Sequence, residues 1–122
     1  MTVVWVGIAG GLGSAARYLV GIGAGRWFGA RFPYGTLAVN VIGSIAIGVL
    51  FALAAARQFD SRTQIVIATG FLGGFTTYSA FAYDSLLLLE RRSVAAFALY
   101  VGVTLVAGIV GCWLGVKIGR AI

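Results

Sequence analysis

The sequence predicts an all-α membrane protein: one domain over residues 1–122, made of four transmembrane helices with the third broken in mid-membrane. Three observations carry that prediction. Hydrophobic residues make up 61% of the chain and charged residues 10%, where soluble domains run at about 45–50% and about 25%. The apolar residues fall into four runs of 23 or more, and a bilayer core needs about 20. The third run is interrupted at its centre by Gly73-Gly74 and Thr76-Thr77.

The first run, Val3–Gly25, carries an arginine in Gly11-Leu12-Gly13-Ser14-Ala15-Ala16-Arg17-Tyr18. A charge at the centre of a membrane helix costs about 2.5–3.5 kcal/mol on insertion scales. Arg17 therefore either snorkels to the headgroups or stands in a water-filled mouth where its charge draws in anions. The break that follows, Arg26–Pro33, holds the only proline, where it spares every helix interior.

The second run, Tyr34–Ala56, contains Asn40, Gly43 and Ser44 at i, i+3 and i+4, on one helical face. Asn40 has two readings: an interhelical hydrogen bond that holds the bundle together, or an amide N–H₂ offered to an anion. Spacing alone does not choose between them.

The third run spans Thr63–Leu89, and Asp60-Ser61 offers it an N-cap. Each glycine of Gly73-Gly74 weakens a helix by about 1 kcal/mol relative to alanine. The reading is a helix that stops at Gly73–Thr77 and resumes. Backbone groups freed at membrane depth persist only when buried in protein or lining a polar cavity. Broken helices of this kind build ion sites. Asp84 and Glu90 close the run: Glu90 reads as interfacial and Asp84 as a partner for an arginine.

The fourth run, Ser93–Val116, places Tyr100, Thr104 and Gly108 on one stripe at i, i+4 and i+8. Cys112 reads as a small apolar packing residue. Glycines recur every fourth residue at Gly7 and Gly11, at Gly21 and Gly25, and at Gly111, Gly115 and Gly119; Ser44 and Gly48 extend the pattern. Small residues so spaced let helices approach closely in lipid.

Several function classes are excluded. There is no histidine and one cysteine, so neither a Ser–His–acid set nor a cysteine metal cluster can be built, and an enzyme is not expected. The glycine-rich stretches lie in membrane runs and are not nucleotide loops. The net charge of +6 is scattered in ones and twos between apolar runs, which argues against nucleic acid as a partner. With four spans, Arg57, Arg62, Lys117 and Arg120 share one side, and Arg26, Arg31, Arg91 and Arg92 the other. Orientation normally follows a Lys/Arg excess on the cytoplasmic side. A tie of four against four predicts insertion both ways up, with an antiparallel homodimer as the working unit.

Three of these runs resemble the fluoride ion channels of the Fluc (CrcB) family. The matching pieces are Gly11–Tyr18, then Gly35-Thr36-Leu37-Ala38-Val39-Asn40-Val41-Ile42-Gly43-Ser44, then Gly70-Phe71-Leu72-Gly73-Gly74-Phe75-Thr76-Thr77-Tyr78-Ser79-Ala80-Phe81. The resemblance implies a dual-topology dimer in the bacterial plasma membrane, with two antiparallel fluoride pores. It implies pore residues Asn40, Tyr78, Ser79, Phe81, Tyr100 and Thr104, with Arg17 at the vestibule. It also implies a structural sodium ion at the dimer centre, held by the backbone carbonyls of Gly73 and Thr76 from both copies. The chain departs from the family pattern at Tyr78, where phenylalanine is usual, at Ala80 (Thr or Ser), at Asp84 (Glu) and at Gly108 (a hydroxyl). Two rival readings are a small multidrug-resistance-type exporter, also four spans and dual topology, and a non-transporting membrane subunit.

Overall fold

The computed structural model describes residues 1–122, and every element is helical. Helix α1 is Thr2–Phe28 and α2 is Tyr34–Ala55. Helix α3 (61–75) is a composite of an α-helical start, Ser61–Ile65, a π-helical stretch, Val66–Leu72, and one α-helical turn, Gly73–Phe75. Helix α4 is Tyr78–Arg91 and α5 is Val94–Ala121. Taken with α3 and α4 as one span, four helical spans of 27, 22, 31 and 28 residues are long and apolar enough to cross a membrane. Their ends run a few residues beyond the apolar runs, so Arg26, Arg62, Lys117 and Arg120 are helical.

Side-chain caps set the starts of α3, α4 and α5. Asp60 accepts the Thr63 N–H at 3.3 Å and begins α3. Hydrogen bonding to Thr63 holds the Asp60 carboxyl below its ordinary value, so the cap is charged and accepting at neutral pH. Thr77 accepts from Ala80 N–H at 3.1 Å to begin α4, and Ser93 accepts from Ala96 N–H at 3.0 Å to begin α5. Gly29, at φ 76°, lets the chain leave α1 in a left-handed turn.

Two helix pairs form the bundle, and both are built on backbone contact. Helix α2 lies along α5, where Gly48 faces the Cys112 carbonyl and Gly115 faces the Ile45 carbonyl; a Cβ at either would run into backbone. Gly111 and Gly119 press on Ile45 and on Val49 and Ala52. The four-residue glycine spacing of the last run is thus the α2–α5 seam. Helix α1 lies along α3 in the same manner: Gly13 faces the Phe71 carbonyl, Gly70 faces Val6 and Ala9, and Gly74 faces the Gly10 carbonyl. By contrast, Gly7 and Gly11 meet nothing within 4 Å, and much of the outer surface is large and apolar, as a lipid-facing surface must be.

The third span is broken within the expected Gly73–Thr77 stretch, at its last two residues. Gly73 and Gly74 are helical; the extended residues are Thr76 (φ −83°, ψ 160°) and Thr77 (φ −152°, ψ 114°). Gly74 is glycine because Gly10 of α1 occupies the space a Cβ would need. The chain leaves the helix at the threonines because a side chain of α2 takes the backbone bonds there.

Candidate functional site

That side chain is Asn40. Its amide nitrogen donates to the Thr77 carbonyl at 3.0 Å, and its amide oxygen accepts the Thr77 N–H at 2.8 Å. Both polar groups of one peptide-linked residue are thereby satisfied inside the span, as a dry environment requires. Ser44 Oγ donates to the Asn40 carbonyl at 2.7 Å, one turn along α2. Gly43 gives room for the Thr76 methyl, which sits where a Cβ would be.

The break deprives the Gly73 and Thr76 carbonyls of their helical donors. The helical donor to Gly73 C=O would be the Thr77 N–H, which goes to Asn40 instead. The helical donor to Thr76 C=O would be the Ala80 N–H, which goes to Thr77 Oγ1. The last backbone bond before the break is Thr76 N–H to Leu72 C=O at 2.9 Å, reinforced by Thr76 Oγ1 on the same acceptor at 2.9 Å.

An open cleft of about 520 Å³ lies beside the break. Asn40, Tyr78, Phe81 and Thr104 line it, together with Gly73, Thr76 and Thr77. Thr104 is 9% exposed, and its Oγ1 is buried with no hydrogen-bond partner. An unpaired buried hydroxyl costs about 1–3 kcal/mol on mutational scales.

The remaining candidates sit around this centre. Ser79 is exposed, with Oγ 3.4 Å from Thr77 Oγ1. Tyr100 is fully buried behind Phe81, ring centroids 5.4 Å apart, and is not in the cleft wall. It closes an aromatic row of Tyr78, Phe81, Tyr100 and Phe32, with centroid spacings of 6.0, 5.4 and 5.4 Å. Arg17 is half-buried and lines a second cleft, about 320 Å³, with Ser14, Thr36, Thr77 and Ala80. Thr77 belongs to both clefts, so the Asn40–Thr77 pairing stands between them.

Asp84 is not paired with an arginine. Its Oδ2 accepts from Thr36 Oγ1 at 2.7 Å and from Tyr100 Oη at 3.4 Å. The reason is depth: Thr36 of α2 and Tyr100 of α5 lie beside Asp84, whereas Arg91 and Arg92 follow about two turns later at the end of α4. Sequence reasoning missed Thr36 and Thr77. The signal for Thr36 was its spacing, since Thr36, Asn40 and Ser44 stand at i, i+4 and i+8 on one face of α2. For Thr77 it was a threonine three residues before Ala80 at a helix restart, an N-cap position.

The chain matches the family model described as "CrcB-like protein, Camphor Resistance (CrcB)" over residues 4–116. It is 41% identical over 121 residues to a Nitrobacter winogradskyi protein named "Fluoride-specific ion channel FluC", covering 98% of this chain and 96% of the relative. Proteins of the same name from Acidobacterium capsulatum and Sorangium cellulosum are 40% identical over 123 residues and 42% over 117. These cover 100% and 95% of this chain, and 98% and 92% of the relatives. On a match that takes in all four helical spans, the chain belongs to the CrcB family.

Proposed function

We propose that this chain is a fluoride-selective ion channel that passively exports cytoplasmic fluoride across the bacterial plasma membrane, working as an antiparallel dual-topology homodimer with two pores. The observation that carries the reading is the cleft at a mid-membrane helix break, with Asn40, Tyr78, Phe81 and Thr104 in its wall. The names of relatives alike over nearly their whole length give the ion.

Fluoride is small and strongly hydrated, so a pore must replace its water with donors. Asn40 uses one amide N–H on Thr77 and keeps a second. Thr104 and Ser79 add hydroxyls. Tyr78 and Phe81 add ring edges, where the aromatic quadrupole is positive. Several modest donors suit conduction, because the ion must bind well enough to enter and weakly enough to leave. Tyr100, buried behind Phe81, backs that ring and ties it to Asp84. Arg17 raises the local anion concentration at the second cleft.

The Gly73 and Thr76 carbonyls fit a hard cation: they are neutral oxygens whose helical donors are diverted to Asn40 and Thr77. Two carbonyls from one chain and two from an antiparallel copy would hold a sodium ion, which supplies a fixed positive charge and ties the two breaks together.

The exporter reading needs a carboxylate in the transport path, and the only candidate, Asp84, lies late in its span and is engaged by two hydroxyls outside the main cleft. Fluoride efflux from liposomes holding the purified chain, followed with an electrode, tests the proposal. Flux well above protein-free liposomes is the expected result; none above them overturns it.

A further inference from the structure

A second basic site lies at the membrane end where α1 gives way to α2 and α4 to α5. A cleft of about 510 Å³ there is lined by Arg31, Arg91 and Arg92, with Ser93 and Pro33 at its edge and Asp84 as its one acid. Ligand pockets typically measure about 300–1,000 Å³. The only hydrogen bond made by any of these three side chains is Arg92 Nη1 to the Arg31 carbonyl, at 3.1 Å. That bond holds the two loops together and leaves most of the guanidinium donors open. Asp84 forms no ion pair with them, its Oδ2 taking the Thr36 and Tyr100 hydroxyls, and three arginines against one carboxylate leave the cleft positive. Ser93, at the cleft edge, caps the 28-residue α5, whose N-terminus adds partial positive charge.

The depth of the cleft indicates what reaches it. Trp27, Phe28 and Tyr34, on the flanking ends of α1 and α2, are 84%, 67% and 42% exposed. Exposed tryptophan and tyrosine at helix ends mark the headgroup level of a bilayer. Planar guanidinium groups gathered at that level match the paired oxygens of a phosphate. We infer that the Arg31–Arg91–Arg92 cleft binds a phosphate group, supplied by an anionic phospholipid headgroup or by free phosphate. This site is separate from the helix break and does not rest on the ion the channel carries.

Phenylglyoxal labelling of wild-type protein in detergent, mapped by peptide mass spectrometry, tests this without any variant. The probes are short-chain phosphatidylglycerol, short-chain phosphatidylcholine and inorganic phosphate. Labelling of Arg31, Arg91 and Arg92 should fall about tenfold with a probe at about ten times its Kd, while Arg57 and Arg120 at the opposite end are unchanged. Protection by phosphatidylglycerol alone assigns the lipid headgroup, and equal protection by inorganic phosphate assigns the free ion. Protection by neither, or by phosphatidylcholine as well as by phosphatidylglycerol, or equal protection of Arg57 and Arg120, overturns the site. The Arg31→Gln/Arg91→Gln variant should lose the thermal stabilisation that the protecting probe gives the wild type; stabilisation retained in full overturns it too.

Discussion

Asn40 holds Thr77 by both of its backbone groups, donating to the carbonyl at 3.0 Å and accepting the N–H at 2.8 Å. One side chain thus performs two tasks that are separable by mutation: it closes a gap in the helix ladder, and it keeps a spare N–H for an ion. Asn40→Asp retains an acceptor for the Thr77 N–H but loses the donor and places negative charge in the path. Fluoride flux should fall by tenfold or more, roughly the effect of 1.4 kcal/mol. Asn40→Leu loses both bonds and should lower unfolding stability by about 2–6 kcal/mol, since each buried group left unpaired costs about 1–3 kcal/mol. Liposome efflux and thermal unfolding in detergent check the pair; wild-type flux in Asn40→Asp would remove Asn40 from the pathway.

Thr104→Val gives the sharpest separation of stability from transport. The hydroxyl has no partner, and valine keeps the shape while removing the unpaired group. The variant should be as stable as wild type or up to about 1–3 kcal/mol more stable, the cost of burying a lone hydroxyl. If the hydroxyl serves a passing anion, flux should nevertheless drop about tenfold, for the loss of one hydrogen bond of about 1.4 kcal/mol. A variant with unchanged flux would make Thr104 an unexplained buried hydroxyl and nothing more.

The glycine seam predicts a steep difference between two glycines of one helix. Gly115→Ala pushes a Cβ into the Ile45 carbonyl, whereas Gly102→Ala meets nothing within 4 Å. Overpacking of this kind costs about 1–3 kcal/mol, while alanine in an open helix position gains up to about 1 kcal/mol over glycine. Thermal unfolding of the two variants should move in opposite directions.

Asp84 supplies a graded test. Thr36 donates to it at 2.7 Å and Tyr100 at 3.4 Å, both to Oδ2. Thr36→Val should destabilise by about 1.5–3 kcal/mol, the range for a hydrogen bond to a charged group. Tyr100→Phe removes a much longer bond and keeps the ring against Phe81, so it should cost less. Equal losses in thermal unfolding would mean that the two hydroxyls share Asp84 more evenly than their distances state.

The four spans were legible because each is a predominantly apolar run long enough for a bilayer, and short polar turns separate them. Asn40 was legible as a polar residue in a span, but its partner Thr77 is 37 residues away, a separation that no local pattern encodes. The same distance hides the cause of the break. Gly74 serves the approach of α1, while Asn40 diverts the bonds at Thr77, the last residue of the expected Gly73–Thr77 stretch. The π-helical stretch Val66–Leu72 carries no sequence mark, because it follows from how α3 packs on α1. Asp84 was read as an ion-pair partner on charge alone, and tertiary packing gave it hydroxyls instead.

The charge tie makes the antiparallel arrangement testable by arithmetic. Four Lys/Arg flank each side of the spans, and removing two from one side leaves two against four. Arg57→Gln with Arg120→Gln should fix one orientation, and Arg26→Gln with Arg31→Gln should fix the other, because insertion follows the Lys/Arg excess. Reporters fused to the C-terminus should read from both sides of the membrane in the wild type and from one side in each variant. If two opposed copies must meet to form the pores, either variant alone should lose most of its fluoride flux. Co-expression of the two should restore it, since each then supplies the orientation the other lacks. Full flux from a single-orientation variant would instead place the working unit in one chain or in a parallel pair, and the Gly73 and Thr76 carbonyls would then need another source of ligands.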